Sequence, residues 1–82
     1  MANELILYTT LGCSLCEKAK LEIWPQLSHF DLRLREVDIA DDPQLLERFA
    51  VRIPLVGLGN PDDVCGWPFD SSQLAAWLEA RL

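Results

Sequence analysis

Two cysteines separated by two residues, Cys13 and Cys16, are the side chains of this chain whose type and spacing best fit a chemical reaction. They follow a short apolar segment and open a segment with helical periodicity. The first backbone N–H groups of a helix lack intrahelical partners and favour a negative charge. We therefore expect the pKa of the Cys13 thiol to fall below its free value of about 8.5. A thiolate beside a second thiol that can close a disulfide is the arrangement that thiol–disulfide exchange requires.

Two other uses of the cysteine pair have to be weighed. Half of a structural zinc site has the same spacing, but the chain offers only Cys65 and His29 as further soft ligands, and neither lies in a second pair. We therefore expect no metal. Inert burial is the second alternative. It suits Cys16, on the apolar side of the predicted helix, better than Cys13 in the strand-to-helix turn.

The length and composition bound the class of protein. The chain has 82 residues, half of them hydrophobic, which predicts a single domain over residues 1–82. Three cysteines are an odd number, unlike the framework of a small secreted protein. The start of the chain lacks the basic and long apolar regions of a signal peptide, so we expect a cytoplasmic protein.

The formal net charge is −6, and the basic residues form no stripe. This distribution argues against nucleic acid as a partner. No apolar run approaches the roughly 18 residues that a membrane span requires, so we expect no membrane association. We expect a monomer that acts on a disulfide or dithiol substrate, and we expect that substrate to be a protein.

The first half of the chain predicts a β-α-β unit, which requires a parallel pair of strands. Leu5–Tyr8 is a continuous apolar run, typical of a strand buried on both faces. Apolar residues recur at helical spacing from Cys16, and Pro25 is expected to kink or end that helix. Residues 32–38 alternate apolar and charged side chains, with an interruption at Glu36 that we interpret as a β-bulge.

The second half predicts a helix, a hairpin and a final helix. Asp42 is a candidate N-cap, and residues 55–58 and Val64–Gly66 form two short strands around a turn. Asp70 and Gln73 have the spacing of a capping box. The whole order is β-α-β-α-β-β-α, which predicts an α/β fold with a four-stranded mixed sheet flanked by helices.

This order of motifs resembles the thioredoxin superfamily, and most closely its glutaredoxin branch. The resemblance rests on Cys13-x-x-Cys16 after strand one, on Val37-Asp38-Ile39 at the end of strand two and on Ile53-Pro54 before strand three. The stretch Trp67–Asp70 is similar to one in a small bacterial glutaredoxin-like family. The resemblance covers nearly the whole chain and implies a thioredoxin-like fold.

The resemblance also implies roles for individual residues. Cys13 would be the nucleophile, and Cys16 would resolve the mixed disulfide. Pro54 would be a cis proline beside the disulfide, and the backbone of Ile53 would pair with the substrate. Asp70 would lie where relatives bind the glutathione carboxylate.

The sequence departs from glutathione-using glutaredoxins at two places. Thr10, Leu11 and Gly12 stand where those proteins carry a basic residue before the first cysteine. Trp67 stands in a region where they carry a second glycine. We therefore expect no bound cofactor and weak glutathione binding, with glutathione itself left open as a reductant. Trp67 either lines a substrate groove or packs under the last helix, and Asp70 either binds substrate or only caps that helix.

We therefore predict a thiol–disulfide oxidoreductase that reduces or exchanges disulfides of a protein or a small molecule. A non-catalytic binding module of the same fold is the main alternative, and an iron–sulfur carrier is a further one. Cys65 is expected to be an inert core residue, or else a third redox thiol. Lys18 and Lys20 are expected to lie too far along the first helix to act on Cys13.

Overall fold

The computed structural model describes residues 3–82 and contains four strands and three helices in the predicted order. Residues 1 and 2 lie outside the described residues. The predicted domain over residues 1–82 and the prediction about the start of the chain include them. The elements are β1 (Asn3–Thr9), α1 (Ser14–His29), β2 (Leu32–Asp38), a 3-10 turn (Ile39–Asp41), α2 (Pro43–Phe49), β3 (Leu55–Gly57), β4 (Val64–Gly66) and α3 (Ser71–Glu79).

The four strands form one mixed sheet in the order β2-β1-β3-β4. β1 and β2 are parallel, β3 is antiparallel to β1, and β4 is antiparallel to β3. The α/β class and the four-stranded mixed sheet predicted from the sequence are confirmed. The central position of β1 places the residues that follow it, including both cysteines, at the middle of one sheet end.

The predicted bulge at Glu36 is wrong. The pairing of β1 with β2 runs one to one from Asn3 opposite Leu32 to Thr9 opposite Asp38. The apolar pattern of β2 slips because its core side chains change faces: Leu32 packs with one helix layer and Val37 with the other. A strand with helices on both faces can alternate its burial without inserting a residue.

Two core clusters lie on opposite faces of the sheet. One contains Leu5 and Leu7 of β1 with side chains from α1 and α3, and the other contains Tyr8 with Ile39 and Phe49. Leu5 and Leu7 are fully buried, and burial of one such side chain stabilises the fold by about 1.5–3 kcal/mol. β1 is therefore buried on both faces, as its apolar run predicts, and anchors the chain just before the cysteines.

α1 continues past Pro25 and ends at His29. Pro25 therefore does not end the helix, and of the two predicted effects only a kink stays a prediction. Proline removes one backbone donor from the helix. The segment beyond it nevertheless packs Leu27 and Phe30 against the core cluster shared by α1 and α3. His29 is the last residue of α1. Among residues 3–82, no helix has the length and apolar character needed to cross a bilayer.

Aspartates begin the two shorter helices. The Asp42 carboxylate accepts from the N–H of Gln44 at 2.9 Å, and Asp70 and Gln73 form a reciprocal capping box. Both caps confirm the sequence prediction. Each satisfies backbone donors that the helix itself leaves unpaired.

Candidate active site

Cys13 and Cys16 are joined by a disulfide, with their Cα atoms 5.4 Å apart. Cys13 is the N-cap of α1 and is half-buried, whereas Cys16 lies one turn inward and is only 2% exposed. Sγ of Cys13 accepts a hydrogen bond from the backbone N–H of Cys16 at 3.2 Å. A reagent in solution therefore has access to one sulfur of the bond, and the other is shielded.

A tight turn carries the chain from β1 to the N-terminus of α1. The N–H of Cys13 donates to the carbonyl of Thr10 at 3.4 Å, and Gly12 has a φ of +79°. A side chain at position 12 would meet open space, so the glycine is required by the backbone conformation and not by crowding. This turn aims the first helical donors at Cys13.

The loop that precedes β3 lies at the same end of the sheet as the cysteines. Tyr8 pairs with Leu55 in antiparallel register, so Pro54, the residue immediately before β3, lies beside the end of β1. The Ile53–Pro54 peptide bond is cis, Pro54 is buried and Ile53 is half-buried. The structure thus brings these two sequence-predicted residues to the sheet end that carries Cys13.

Trp67 joins this group through the backbone. Its N–H donates to the carbonyl of Pro54 at 3.0 Å, and its ring meets Phe69 edge-on with the centroids 5.2 Å apart. Phe69 is buried in the core, and half-buried Trp67 packs against the same cluster. Trp67 therefore packs the corner before α3 and also keeps part of its ring at the surface. The cis bond between Trp67 and Pro68 was not predicted.

Asp70 uses its carboxylate to cap α3, since Oδ1 accepts from the N–H of Gln73 at 2.7 Å. The residue is exposed, so the remaining carboxylate lone pairs face solvent. Its contact with substrate, like those of Ile53, Pro54 and Trp67, remains a prediction.

A cleft of about 580 Å³ opens on the other side of the disulfide, towards β2. Ile53, Pro54, Trp67 and Asp70 do not line it. Its walls are residues 9–14 together with five side chains from α1 and β2, namely Cys16, Glu17, Lys20, Glu36 and Asp38. The cysteines therefore stand between two surfaces, the polar cleft and the proline-containing loop.

The polar cleft contains three carboxylates and one ammonium, a formal charge of −2. Nζ of Lys20 lies 2.6 Å from Glu36 and 3.5 Å from Glu17. The hydrogen bond to Glu36 raises the pKa of Lys20, partly offset by desolvation. Asp38 is held differently, because its carboxylate accepts from the N–H of Ala40 at 2.9 Å.

Sequence reasoning missed Lys20 as a neighbour of the cysteines. Measured from Cys13 it is seven residues away, but from Cys16 it is four, and residues four apart lie on one face of a helix. That spacing was the available signal. The interruption of the apolar pattern at Glu36 was a second one, because it marks a carboxylate that faces α1.

The third thiol and the histidine lie away from the cysteine pair. Cys65 pairs with Val56 across β3 and β4 and packs against the core. Burial raises the pKa of the Cys65 thiol, against an opposing effect of Arg81. His29 lies at the opposite end of α1, against Phe30. In the described part of the chain, no group of three metal-ligating side chains comes together.

Comparisons with known proteins agree with this geometry. Residues 4–79 match the model of the glutaredoxin-like domain family (DUF836). The X-ray structure of Northeast Structural Genomics target protein XcR50 from X. campestris is 32% identical, with a TM-score of 0.75 over 95% of this chain and 99% of that chain. The solution structure of XcR50 has the same identity and TM-score and covers 100% of this chain and 97% of its own.

A structure described as that of a malarial protein is 16% identical, with a TM-score of 0.68 over 100% of this chain and 99% of that one, and it shows a likeness of fold alone. No curated protein matches the chain. The family model extends from β1 to the end of α3 and includes both cysteines. The chain therefore belongs to the glutaredoxin-like domain family.

Proposed function

We propose that this protein is a thiol–disulfide oxidoreductase that acts through Cys13 and Cys16. The observation that carries the proposal is the asymmetry of the pair: a solvent-accessible sulfur at the N-cap of α1 is bonded to a sulfur that is shielded from solvent. Helix N-terminal donors stabilise a thiolate at the first position. The second thiol is held within bonding distance for the next step.

The reaction consists of two displacements. The Cys13 thiolate attacks one sulfur of a substrate disulfide, the substrate S–S bond breaks, and one substrate thiolate leaves. The Cys16 thiolate then attacks Sγ of Cys13, the mixed disulfide breaks, and the second substrate thiolate leaves. The substrate gains two electrons and two protons, and the enzyme ends as the Cys13–Cys16 disulfide. A thiol or dithiol reductant must reverse that oxidation for turnover.

A protein substrate fits the surface around Cys13 better than a small anion does. Leu11 is 91% exposed and Leu15 is 42% exposed in the turn and first helical residues, and Val51 is 96% exposed before the Ile53–Pro54 loop. Exposed apolar side chains around a reactive group suit an apolar polypeptide segment. We propose that such a segment pairs with the backbone of Ile53 and contacts Pro54, Trp67 and Asp70.

The charge of the site argues for a dithiol reductant over glutathione. The polar cleft beside Cys13 carries a formal charge of −2, and no basic side chain precedes Cys13 in the turn. An anionic tripeptide would meet repulsion where glutathione-using relatives offer a cation. A protein dithiol would supply the same two electrons without that electrostatic repulsion. Turnover in this mode suits a reducing compartment, and we propose a cytoplasmic location.

The test is reduction of a protein disulfide, such as those of insulin, by dithiothreitol with and without the purified protein. We expect acceleration by the native protein and none by Cys13→Ser. Cys65→Ser is the matched control, since it removes a thiol outside the site, and we expect it to retain the native rate. Equal rates with the native protein and with Cys13→Ser would refute the proposed function.

A further inference from the structure

Lys20 and Cys16 lie one turn apart on α1 and both line the polar cleft. Side chains four residues apart on a helix are neighbours, with Cβ atoms about 5–6 Å apart. The Lys20 ammonium is held in place by Glu36 of β2 at 2.6 Å and by Glu17 at 3.5 Å. The Lys20 ammonium therefore belongs to the same cleft as the buried Cys16, one helical turn away along α1.

The second displacement of the proposed reaction has an electrostatic problem. Cys16 must become a thiolate to attack Cys13, yet it is 2% exposed. Burial disfavours the charged form of a thiol, and an adjacent cation favours it. The charged groups that line the cleft are Glu17 and Lys20 from α1 and Glu36 and Asp38 from β2. Among these side chains, Lys20 is the one cation.

We propose that Lys20 is a positioning residue for the resolving step, in which its ammonium stabilises the Cys16 thiolate while that thiolate attacks Cys13. The inference rests on the proposed function and deepens it. Cys16 gives its proton to solvent in the cleft, and its electron pair forms the bond to Sγ of Cys13. The bond from Cys13 to the substrate sulfur breaks, and the substrate leaves as a thiolate that takes up a proton. Lys20 keeps its own proton throughout.

The two partners of the Lys20–Glu36 ion pair have opposite effects in this account. The ammonium favours the thiolate, and the Glu36 carboxylate offsets part of the ammonium charge. If the ion pair only held α1 against β2, loss of either partner would change the rate and the pH midpoint of the second displacement in the same direction. The raised pKa of Lys20, caused first by its hydrogen bond to Glu36, keeps the ammonium charged over the range in which thiols titrate.

The experiment uses the fully reduced protein carrying Cys65→Ser and the neutral disulfide 4,4′-dithiodipyridine in stopped flow. Attack by Cys13 releases one thiopyridone, and resolution by Cys16 releases a second, so the two steps appear as two phases. Both rates are measured across pH for the parent and for Lys20→Met, Lys20→Arg, Glu36→Gln and Lys18→Met. Lys18 is exposed on the same helix and does not line the cleft. Lys18→Met is therefore the matched control, because it removes the same charge from α1 outside the cleft.

We expect Lys20→Met to slow the second phase near neutral pH by roughly three- to tenfold and to move its pH midpoint upward. Glu36→Gln should move that midpoint downward, and Lys20→Arg and Lys18→Met should stay within about twofold of the parent. A second phase unchanged in Lys20→Met, or shifted in the same direction by both Lys20→Met and Glu36→Gln, would overturn the proposal.

The design separates this inference from the proposed function. A parent protein without a first phase would refute both, whereas a normal first phase with an unaffected second phase refutes only the role of Lys20. If circular dichroism shows that Lys20→Met does not fold, the second phase measured for Glu36→Gln decides whether the proposal holds. A faster second phase or lower midpoint then supports the proposal, and a slower or unchanged one overturns it.

Discussion

The backbone N–H of Cys16 donates a hydrogen bond to Sγ of Cys13 at 3.2 Å. The donor belongs to the first turn of α1, so the helix offers its unpaired N–H groups to this sulfur. In the proposed function, the same contact stabilises the Cys13 thiolate once the disulfide is reduced. Cys16 has no equivalent position, since it lies one turn inward on α1 and is buried. The two cysteines thus differ in exposure and in hydrogen bonding although they share one disulfide bond.

The first prediction concerns the rate of alkylation of the three thiols in the reduced protein. We expect iodoacetamide near neutral pH to modify Cys13 roughly tenfold or more faster than Cys16 and Cys65, because only Cys13 combines access with helix N-terminal donors. Burial raises the pKa of the Cys65 thiol, which leaves less thiolate to react. Mass spectrometry of peptides after timed quenching measures the three rates. Equal rates for Cys13 and Cys16 would contradict the assignment of the nucleophile.

The second prediction separates capping from substrate binding at Asp70. Asp70→Ala and Asp42→Ala each remove an N-cap carboxylate, and each should lower the free energy of unfolding by about 1 kcal/mol. Only Asp70 lies at the proposed substrate surface, so only Asp70→Ala should also raise KM for a protein disulfide. Urea unfolding and steady-state kinetics measure the two effects. An equal KM in both variants would show that Asp70 is a cap alone.

The third prediction concerns a charge pair far from the cysteines. Arg81 binds both oxygens of Asp63 at 2.7 Å, and this hydrogen bonding lowers the pKa of Asp63. A carboxyl whose pKa is depressed in the folded state stabilises the fold above its unfolded pKa of about 3.9, and it loses that contribution as the pH falls through the folded value.

Asp63→Asn should therefore lower Tm at neutral pH, and its difference from the native protein should vanish in acid. Asp41→Asn is the control, because exposed Asp41 takes part in no side-chain ion pair within residues 3–82, and its substitution should change Tm little at any pH. Differential scanning fluorimetry across pH gives both curves. A Tm difference for Asp63→Asn that persists unchanged in acid would contradict the role of this ion pair.

The fourth prediction concerns the reductant. We expect weak turnover with glutathione and faster turnover with a thioredoxin-type dithiol system, measured side by side on one disulfide substrate. Thr10→Lys introduces a cation before Cys13, and a charge-assisted hydrogen bond of about 1.5–3 kcal/mol would raise glutathione-dependent turnover by about tenfold or more. Gln44→Lys adds the same charge on the exposed side of α2 and should leave the rate unchanged. Efficient glutathione turnover by the native protein would refute this preference.

The element order and the helix caps could be predicted because they depend on local signals. The apolar run before Cys13, the turn between β3 and β4 and the aspartates at Asp42 and Asp70 each act within a few residues. The continuation of α1 through Pro25 could not be predicted in this way. It depends on Leu27 and Phe30 meeting a core that α3 completes far along the chain.

The cysteine pair could likewise be predicted from the sequence, whereas the charged side chains of the polar cleft beside it could not. Glu36 approaches Lys20 only because β2 pairs with β1 without a bulge, and that register depends on burial on both faces of the sheet. The placement of Pro54 beside the end of β1 follows from the antiparallel pairing of β3, which a short strand does not specify locally. Long-range pairing, and not residue type, decides these features.

The most direct test of the central claim is intact-protein mass spectrometry of single-cysteine variants after exposure to an excess of a disulfide peptide. In a Cys65→Ser background, Cys16→Ser should accumulate a mixed disulfide through Cys13, because the first displacement proceeds and the second has no thiol to complete it. Cys13→Ser, which keeps only the buried Cys16, should remain unmodified over the same time. Equal adduct formation by the two variants, or none by Cys16→Ser, would contradict the account.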